Sequence, residues 1–250
     1  MKKITNIILP RIYALWALIW FVTTMLIIWL PAFLLFIFPE PKRTQYFIHI
    51  SRLWMAIYLP IAGVRLRIEG KEYFEKGQAY VVVCNHNSFM DIPVSSPGIP
   101  GGNKTIAKVE LSRIPLFGMI YKRGSVLVDR RSEQSRKKSY LSMKQVLDWG
   151  LHMCIYPEGT RNKTSDPLKP FKDGAFRLAI ETGKPIIPAV IIGTKTMLPA
   201  NIPFYFKPGC IKLIFMPPVA TNTSEAADLA TLKQQIFDLM WNKIKEESTT

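Results

Sequence analysis

Acidic residues are scarce in this 250-residue chain: 18 Asp and Glu stand against 33 Lys and Arg, a formal charge of +15. So basic a balance selects anionic partners, whether lipid headgroups, phosphates, an acidic carrier protein or nucleic acid. Cysteine is scarcer still. Cys84, Cys154 and Cys210 are odd in number, far apart and set in apolar runs. That excludes a disulfide framework and the paired spacing of a zinc site, and it reads as a reducing compartment. No metal is expected. An RNA-binding signature is missing, as is a basic helix interleaved with exposed aromatics, so nucleic acid is not expected as a partner despite the charge. Internal repeats and low-complexity blocks are missing too. The length suits one substantial core, or one domain with an appendage.

Charge disappears altogether between Arg11 and Glu40, over 28 residues rich in Leu, Ile, Phe and Trp. The run is too long for a signal-peptide core and has no small-residue cleavage site. A bilayer takes about 20 apolar residues, so it is long enough to cross. Trp16, Trp20 and Trp29 suit interface anchors, and Pro31 is expected to bend or end the helix, leaving Ile12 to Leu30 straight. Past the turn-like Phe38-Pro39-Glu40-Pro41, the stretch Tyr46 to Pro60 is apolar but carries His49, Ser51 and Arg52, as an interfacial helix would. Lys2, Lys3 and Arg11 before the first segment and the basic remainder after the second both belong on the cytoplasmic side. The expectation is a hairpin at residues 1–62 set shallowly in one leaflet; the alternative is one span with the globular part outside.

From Val64 onward, strands alternate with helices. Val64 to Ile68, Tyr80 to Cys84, Lys104 to Ala107, Ser125 to Val128, His152 to Tyr156, Pro185 to Ile192 and Ile211 to Phe215 read as strands. Helices are expected over Met90 to Ser95, Glu110 to Tyr121, Glu133 to Gly150, Gly174 to Thr182 and Ser224 to Lys245. Ser132 is a plausible N-cap for the third, and Leu229, Leu232, Ile236, Leu239 and Ile244 form a core stripe on the last. The pattern predicts an α/β domain over residues 63–250 with a largely parallel sheet flanked by helices.

Three polar interruptions follow buried strands, where open α/β sheets bind ligands. After Cys84 come Asn85, His86, Asn87, Ser88 and then Asp91. A histidine and a carboxylate there suit proton transfer, although a lone histidine in such a place is more often structural. Five residues apart, the two meet only if the chain curls between them. After Ile155 comes Tyr156-Pro157-Glu158-Gly159-Thr160-Arg161. Gly159 lets main-chain N–H groups approach an anion, Arg161 can grip a phosphate in two places, and Glu158 can orient an arginine or accept from a substrate hydroxyl. The plain alternative is a turn with a surface ion pair. Third is Gly124 to Arg130, with Arg130 at its end. Lys104 and Lys108 bracket a further strand as phosphate candidates.

Taken together, the three resemble the glycerolipid acyltransferases, specifically the 1-acylglycerol-3-phosphate (lysophosphatidic acid) acyltransferase family, over Tyr80 to Ile192. The family's Asn-His-x-Ser-x-x-x-Asp motif is similar to Asn85, His86, Ser88 and Asp91. Its Gly-strand-Arg motif is matched by Gly124 to Arg130, its Pro-Glu-Gly-Thr-Arg motif by Pro157 to Arg161, and its proline motif by Ile187-Pro188-Ala189-Val190. Lys108-Val109-Glu110-Leu111 and Phe171-Lys172-Asp173-Gly174-Ala175-Phe176 look like family sequence as well. Departures are Leu127 and Tyr156, where Phe is common, and Ala189 after the motif proline.

The resemblance implies transfer of an acyl group from a thioester, acyl-CoA or acyl carrier protein, to a glycerol hydroxyl, with no bound cofactor. His86 would take the hydroxyl proton while Asp91 fixes its tautomer, so neither Ser88 nor Cys84 is needed as a nucleophile. Arg130, Glu158, Gly159, Thr160 and Arg161 would hold the phosphate of a lysophospholipid. Main-chain N–H groups after Asn85 are the expected oxyanion donors. The implied setting is the cytoplasmic face of the inner membrane, among anionic lipids. Two rivals remain: the same chemistry on lyso-ornithine lipid or another lysophospholipid, and a non-catalytic basic protein binding phosphate or nucleic acid at the membrane.

Overall fold

A computed structural model describes residues 2–129, 131–221 and 228–249. Two long helices come first, α1 (Lys2–Leu34) and α2 (Lys42–Ile61), joined through a short 3-10 turn at Leu35–Ile37. All seven expected strands are present: β1 (Val64–Glu69), β2 (Val81–Cys84), β3 (Asn103–Lys108), β4 (Ser125–Val128), β5 (His152–Ile155), β6 (Ile186–Ile192) and β7 (Gly209–Phe215). They form one sheet in the order β1-β7-β6-β2-β5-β3-β4, parallel throughout except for the antiparallel β6–β7 pair. The central strands β2 and β5 are buried at every position, which is why they read as unbroken apolar runs. At the edge, β1 alternates Arg65, Arg67 and Glu69 with apolar residues, and such charges blunt an open sheet edge.

Strand alternation splits the core between the two faces of the sheet. Tyr80, Val82 and Cys84 point into one cluster with α1 and α2, while Val81 and Val83 point into the other. The second face is covered by α5 (Glu133–Asp148), α6 (Gly174–Thr182) and α8 (Leu229–Thr249). Ser132 caps α5 as expected, its hydroxyl accepting from Ser135 N at 3.1 Å. On α8 the buried stripe is Leu232, Ile236, Met240 and Ile244; Leu239 is exposed, and residues 224–227 of the expected helix lie outside the described residues.

Several helical expectations shift for local reasons. The expected helix at Glu110 to Tyr121 is two pieces, a 3-10 segment Val109–Arg113 and α4 (Phe117–Arg123). Pro115 forces Ile114 into an extended conformation (φ −68°, ψ 124°), which no α-helix crosses. Pro31, in contrast, does not end α1. Its ring lies on the exposed side, while Ala32 and Leu35 continue the buried stripe. The single turn α7 (Thr194–Met197) is too short to give a periodic signal.

The helix α2 is less interfacial than its sequence implies. Its stripe of Phe47, Ile48, Trp54, Met55, Tyr58 and Leu59 is buried in the core shared with the sheet. Arg52 turns inward too, donating to the carbonyls of Pro97, Ile99 and Gly101 at 3.0, 2.7 and 2.8 Å around the end of α3 (Asp91–Gly98). Trp54 Nε1 donates to Thr24 Oγ1 at 2.9 Å and fastens α1 on top. The longer apolar face left open is that of α1, including Leu15, Ile19, Leu26, Ile27 and Leu30. Among the described residues, it is the one helix long and apolar enough to cross a membrane, with a mean hydropathy of 2.3 over Ile8–Ile37.

His152 opens β5 as a buried neutral ring whose Nδ1 accepts from Tyr80 N at 3.1 Å. Burial lowers its pKa to about 4, with Arg52 adding repulsion and a bond to the Pro100 main chain opposing. The unfolded chain takes up this proton below the ordinary value of 6.5. Between the two values it therefore binds more protons than the folded chain, and stability complete above the higher value is lost as pH falls. The loss has a ceiling of roughly 3 kcal/mol. His152→Gln is expected to flatten this slope in thermal unfolding scans across that window; an unchanged slope would place the titration elsewhere.

Candidate active site

The end of β2 is locked by Asn85, whose Nδ2 donates to Ile191 O at 3.0 Å and whose Oδ1 accepts from Ile191 N at 2.7 Å. The chain then curls, as the spacing of the two site residues requires. His86 Nδ1 lies 2.8 Å from Asp91 Oδ2, and the same oxygen accepts the main-chain N–H groups of Asn87 (2.6 Å) and Ser88 (2.7 Å). Asp91 is wholly buried at the start of α3, where a helix N-terminus favours a negative charge. An ionised carboxylate only accepts, so the shared proton sits on Nδ1, and Nε2 keeps its lone pair. Tyr156 lies over the ring, with centroids 4.4 Å apart and planes 28° from parallel. Its hydroxyl shares a 2.7 Å hydrogen bond with Ser95 on α3.

The loop after β5 grips His86 by its main chain. Glu158 Oε1 accepts from His86 N at 2.7 Å, and Asn162 N donates to His86 O at 2.6 Å. The other Glu158 oxygen, Oε2, accepts from Lys169 N at 3.0 Å. Burial pushes the Glu158 carboxyl above its ordinary value, against the pull of those two amides. Both Glu158 oxygens accept main-chain amides, so this side chain, expected as a substrate ligand, ties two loops together. Asn162 opens an Asn-x-Thr pattern but is buried, its side chain bonded to Thr164 and Asp166.

The remaining site residues divide. The Arg161 guanidinium carbon stands 3.8 Å from the ring centroid of Phe89. Thr160 Oγ1 accepts from Lys169 Nζ at 2.5 Å, and Gly159 has φ +72°. Lys108 is exposed at the end of β3, level with Pro157 when the β3–β5 register is continued. Lys104 is not in this group. Its ammonium pairs with Glu40 at 3.0 Å beside the turn between α1 and α2. The register sets it level with Val81, about 16 Å below His86 along the strands. Arg130 lies outside the described residues.

Two more expectations meet definite geometry. The amides after Asn85 are not available to an oxyanion, because those of His86, Asn87 and Ser88 are already spent on Glu158 and Asp91. Ser88 and Cys84 are ill placed as nucleophiles, as expected. Ser88 Oγ donates to Leu198 O and accepts from Met90 N. The Cys84 thiol is held well above its ordinary pKa by its contact with Cys154 and then by burial. Missed in the sequence were Phe89, Asn162, Lys169 and Lys172. The last two fall in or beside the quoted Phe171–Phe176 stretch, which was the available signal.

Phe89 also borders an apolar cavity of about 440 Å³, within the range of small-ligand pockets. Phe21 and Trp54 wall it on the side of α1 and α2; Met90, Ile92 and Phe206 complete it near the His86 loop.

A His–Asp pair at the carboxyl ends of parallel strands, beside an apolar cavity and a cluster of cations, defines an α/β protein equipped for proton transfer near an amphipathic ligand. Residues 65–192 match the family model described as Acyltransferase. A 1-acyl-sn-glycerol-3-phosphate acyltransferase from Cocos nucifera is 32% identical over 188 residues, 74% of this chain and 60% of that protein. The alpha form from Mus musculus is 30% identical over 202 residues, 80% of this chain and 70% of that one. The crystal structure of the 1-acyl-sn-glycerophosphate (LPA) acyltransferase PlsC from Thermotoga maritima superposes with a TM-score of 0.79, covering 100% of this chain and 99% of that chain at 24% identity. The last is a likeness of fold. The chain belongs to the acyltransferase family.

Glu158→Gln sets an NH2 group against a main-chain N–H in a buried site. We expect a loss of about 1–3 kcal/mol in chemical denaturation, the cost of an unsatisfied buried donor. Unchanged stability with a raised KM would restore Glu158 as a substrate ligand.

Proposed function

We propose that this chain is a 1-acylglycerol-3-phosphate O-acyltransferase, moving an acyl group from a thioester to the sn-2 hydroxyl of lysophosphatidic acid to give phosphatidic acid. The observation that carries the reading is the His86–Asp91 pair, oriented with Nε2 free, beside both an apolar cavity and Arg161. The hydroxyl proton passes to Nε2 as its oxygen attacks the thioester carbonyl, and Asp91 stabilises the imidazolium. Collapse of the tetrahedral intermediate breaks the C–S bond, and His86 returns the proton to the leaving thiolate. Arg161, with Gly159, Thr160, Lys108 and Arg130, holds the acceptor's phosphate, and such positioning supplies several kcal/mol of the barrier. Coenzyme A and acyl carrier protein are both donors of suitable charge. Asp91 and Glu158 are the buried carboxylates of the site, and no cofactor enters the reaction.

Membrane seating follows from α1. Arg11 Nη1 donates to the carbonyls of Pro203 (2.9 Å) and Phe204 (3.1 Å), and Trp29 Nε1 donates to Leu116 O at 3.2 Å. A helix tied to the domain near both ends lies along it, which favours shallow insertion in one leaflet over a crossing. The basic flanks favour the cytoplasmic leaflet of the inner membrane, with anionic lipids as neighbours. Acceptor and product then stay in the bilayer throughout.

Purified protein assayed with two thioester donors against several lyso-lipid acceptors tests the reading. Transfer to lysophosphatidic acid is expected to exceed transfer to lyso-ornithine lipid; the reverse order would sink it. His86→Ala is expected to abolish transfer while leaving lysophosphatidic acid binding intact, and Arg161→Ala to raise KM for that acceptor by tenfold or more. Full turnover in the His86→Ala protein would overturn the mechanism.

A further inference from the structure

The turn Glu158–Gly159–Thr160 carries a side chain laid flat across it. A Cβ built on Gly159 would stand 3.0, 3.1 and 3.3 Å from Cε, Cδ and Nζ of Lys172. Ordinary contacts of a Cβ are longer than that, and the φ of +72° already disfavours any other residue. The segment bearing Lys172 is clasped to the same turn at three points: Lys172 N donates to Pro157 O at 2.9 Å, Lys169 N to Glu158 Oε2, and Lys169 Nζ to Thr160 Oγ1. Position 159 is therefore a seat, and what sits in it is the end of the Lys172 side chain, stem and ammonium together.

The charge around the seat is one-sided. Glu158 is the carboxylate of the turn, and it is 2% exposed with both oxygens turned to main-chain amides. Asp173, next to Lys172, pairs instead with Lys233 at 2.7 Å. Among the described residues, no carboxylate stands within ion-pair distance of Lys172, Lys169 or Arg161. Holding an exposed, rotamer-rich ammonium at a fixed place costs side-chain entropy, and an ion pair with a solvated surface acid would return little of it. A doubly charged oxyanion returns more, since hydrogen bonds between charged groups are the strong ones.

We infer that Lys172 is a binding residue for a phosphate monoester, and that Gly159 is glycine in order to seat it. The inference rests on the acyltransferase reading and extends its phosphate site to a second segment of chain. Both substrates of that reaction can supply the group: the acceptor carries one on its glycerol, and coenzyme A carries one on its ribose.

Lys172→Met keeps the aliphatic stem over Gly159 and removes the charge, so packing and binding separate. With the full-length protein in detergent or vesicles, KM for lysophosphatidic acid is expected to rise about tenfold, with kcat and thermal stability kept. A rise confined to the KM for acyl-CoA, and absent with an acyl carrier protein donor, would assign the phosphate to the donor and still support the inference. Gly159→Ala should raise the same KM, and the double variant should be no worse than Gly159→Ala alone. Unchanged KM for both substrates in an active Lys172→Met protein would overturn the inference. Wild-type protein with no transfer to lysophosphatidic acid would instead defeat the underlying reading; there, inorganic phosphate binding by titration calorimetry, weakened in Lys172→Met, still tests Lys172, and equal binding would overturn it.

Discussion

His86 is held from three directions, and the rest of the site depends on that hold. Its ring is bonded to Asp91, its N–H to Glu158, and its carbonyl to Asn162 N. The last two partners come from the loop after β5, 72 and 76 residues further along the chain. They reach His86 because β2 and β5 are neighbours, with Val83 opposite Ile155 in the register. That adjacency is a consequence of the crossover order, which returns β5 to the centre after β3 and β4 have been laid outside it. Right-handed parallel crossovers leave a crevice at the carboxyl ends of such central strands. The geometry of the site is thus a property of topology first, and of side chains second.

The hairpin is mechanically part of the same unit. With the stripe of α2 inside the sheet's core and Arg52 tied to the carbonyls around the end of α3, movement of α2 would disturb the helix that starts at Asp91. Trp54 carries that connection on to α1. The cavity occupies the space between these helices and the His86 loop, so its depth is set by rigid elements. Sites built on helices and strands hold their geometry better than sites on free loops. The α/β sheet and the apolar N-terminal helices are here parts of one core.

Much of this was legible in the sequence. The seven strands were, because buried parallel strands are continuous apolar runs broken by polar residues at their ends. The His86–Asp91 contact was legible as a requirement on the loop, and the polar interruption at Pro157 to Arg161 did come beside it. Less legible were outcomes decided by distant partners. Glu158 has the sequence context of a substrate ligand, and only the approach of the His86 amide makes it a tie. Lys104 flanks a strand like a site residue, but it occupies the amino end and meets Glu40. The helix Glu110 to Tyr121 failed on a local rule, the extended conformation forced before Pro115. The inward turn of Arg52 could not be read from its hydropathy, because three carbonyls around the end of α3 satisfy it.

The charge arrangement completes the account. Asp91 and Glu158 are both buried, and each accepts main-chain N–H groups. Neither forms an ion pair with Arg161, Lys169 or Lys172. In a cleft with low-dielectric walls the field of such a cluster is focused and not dissipated. The main-chain amides nearest the base are spent on the two carboxylates. Burying the acids with amides as partners is what leaves Arg161, Lys169 and Lys172 without a carboxylate partner among the described residues.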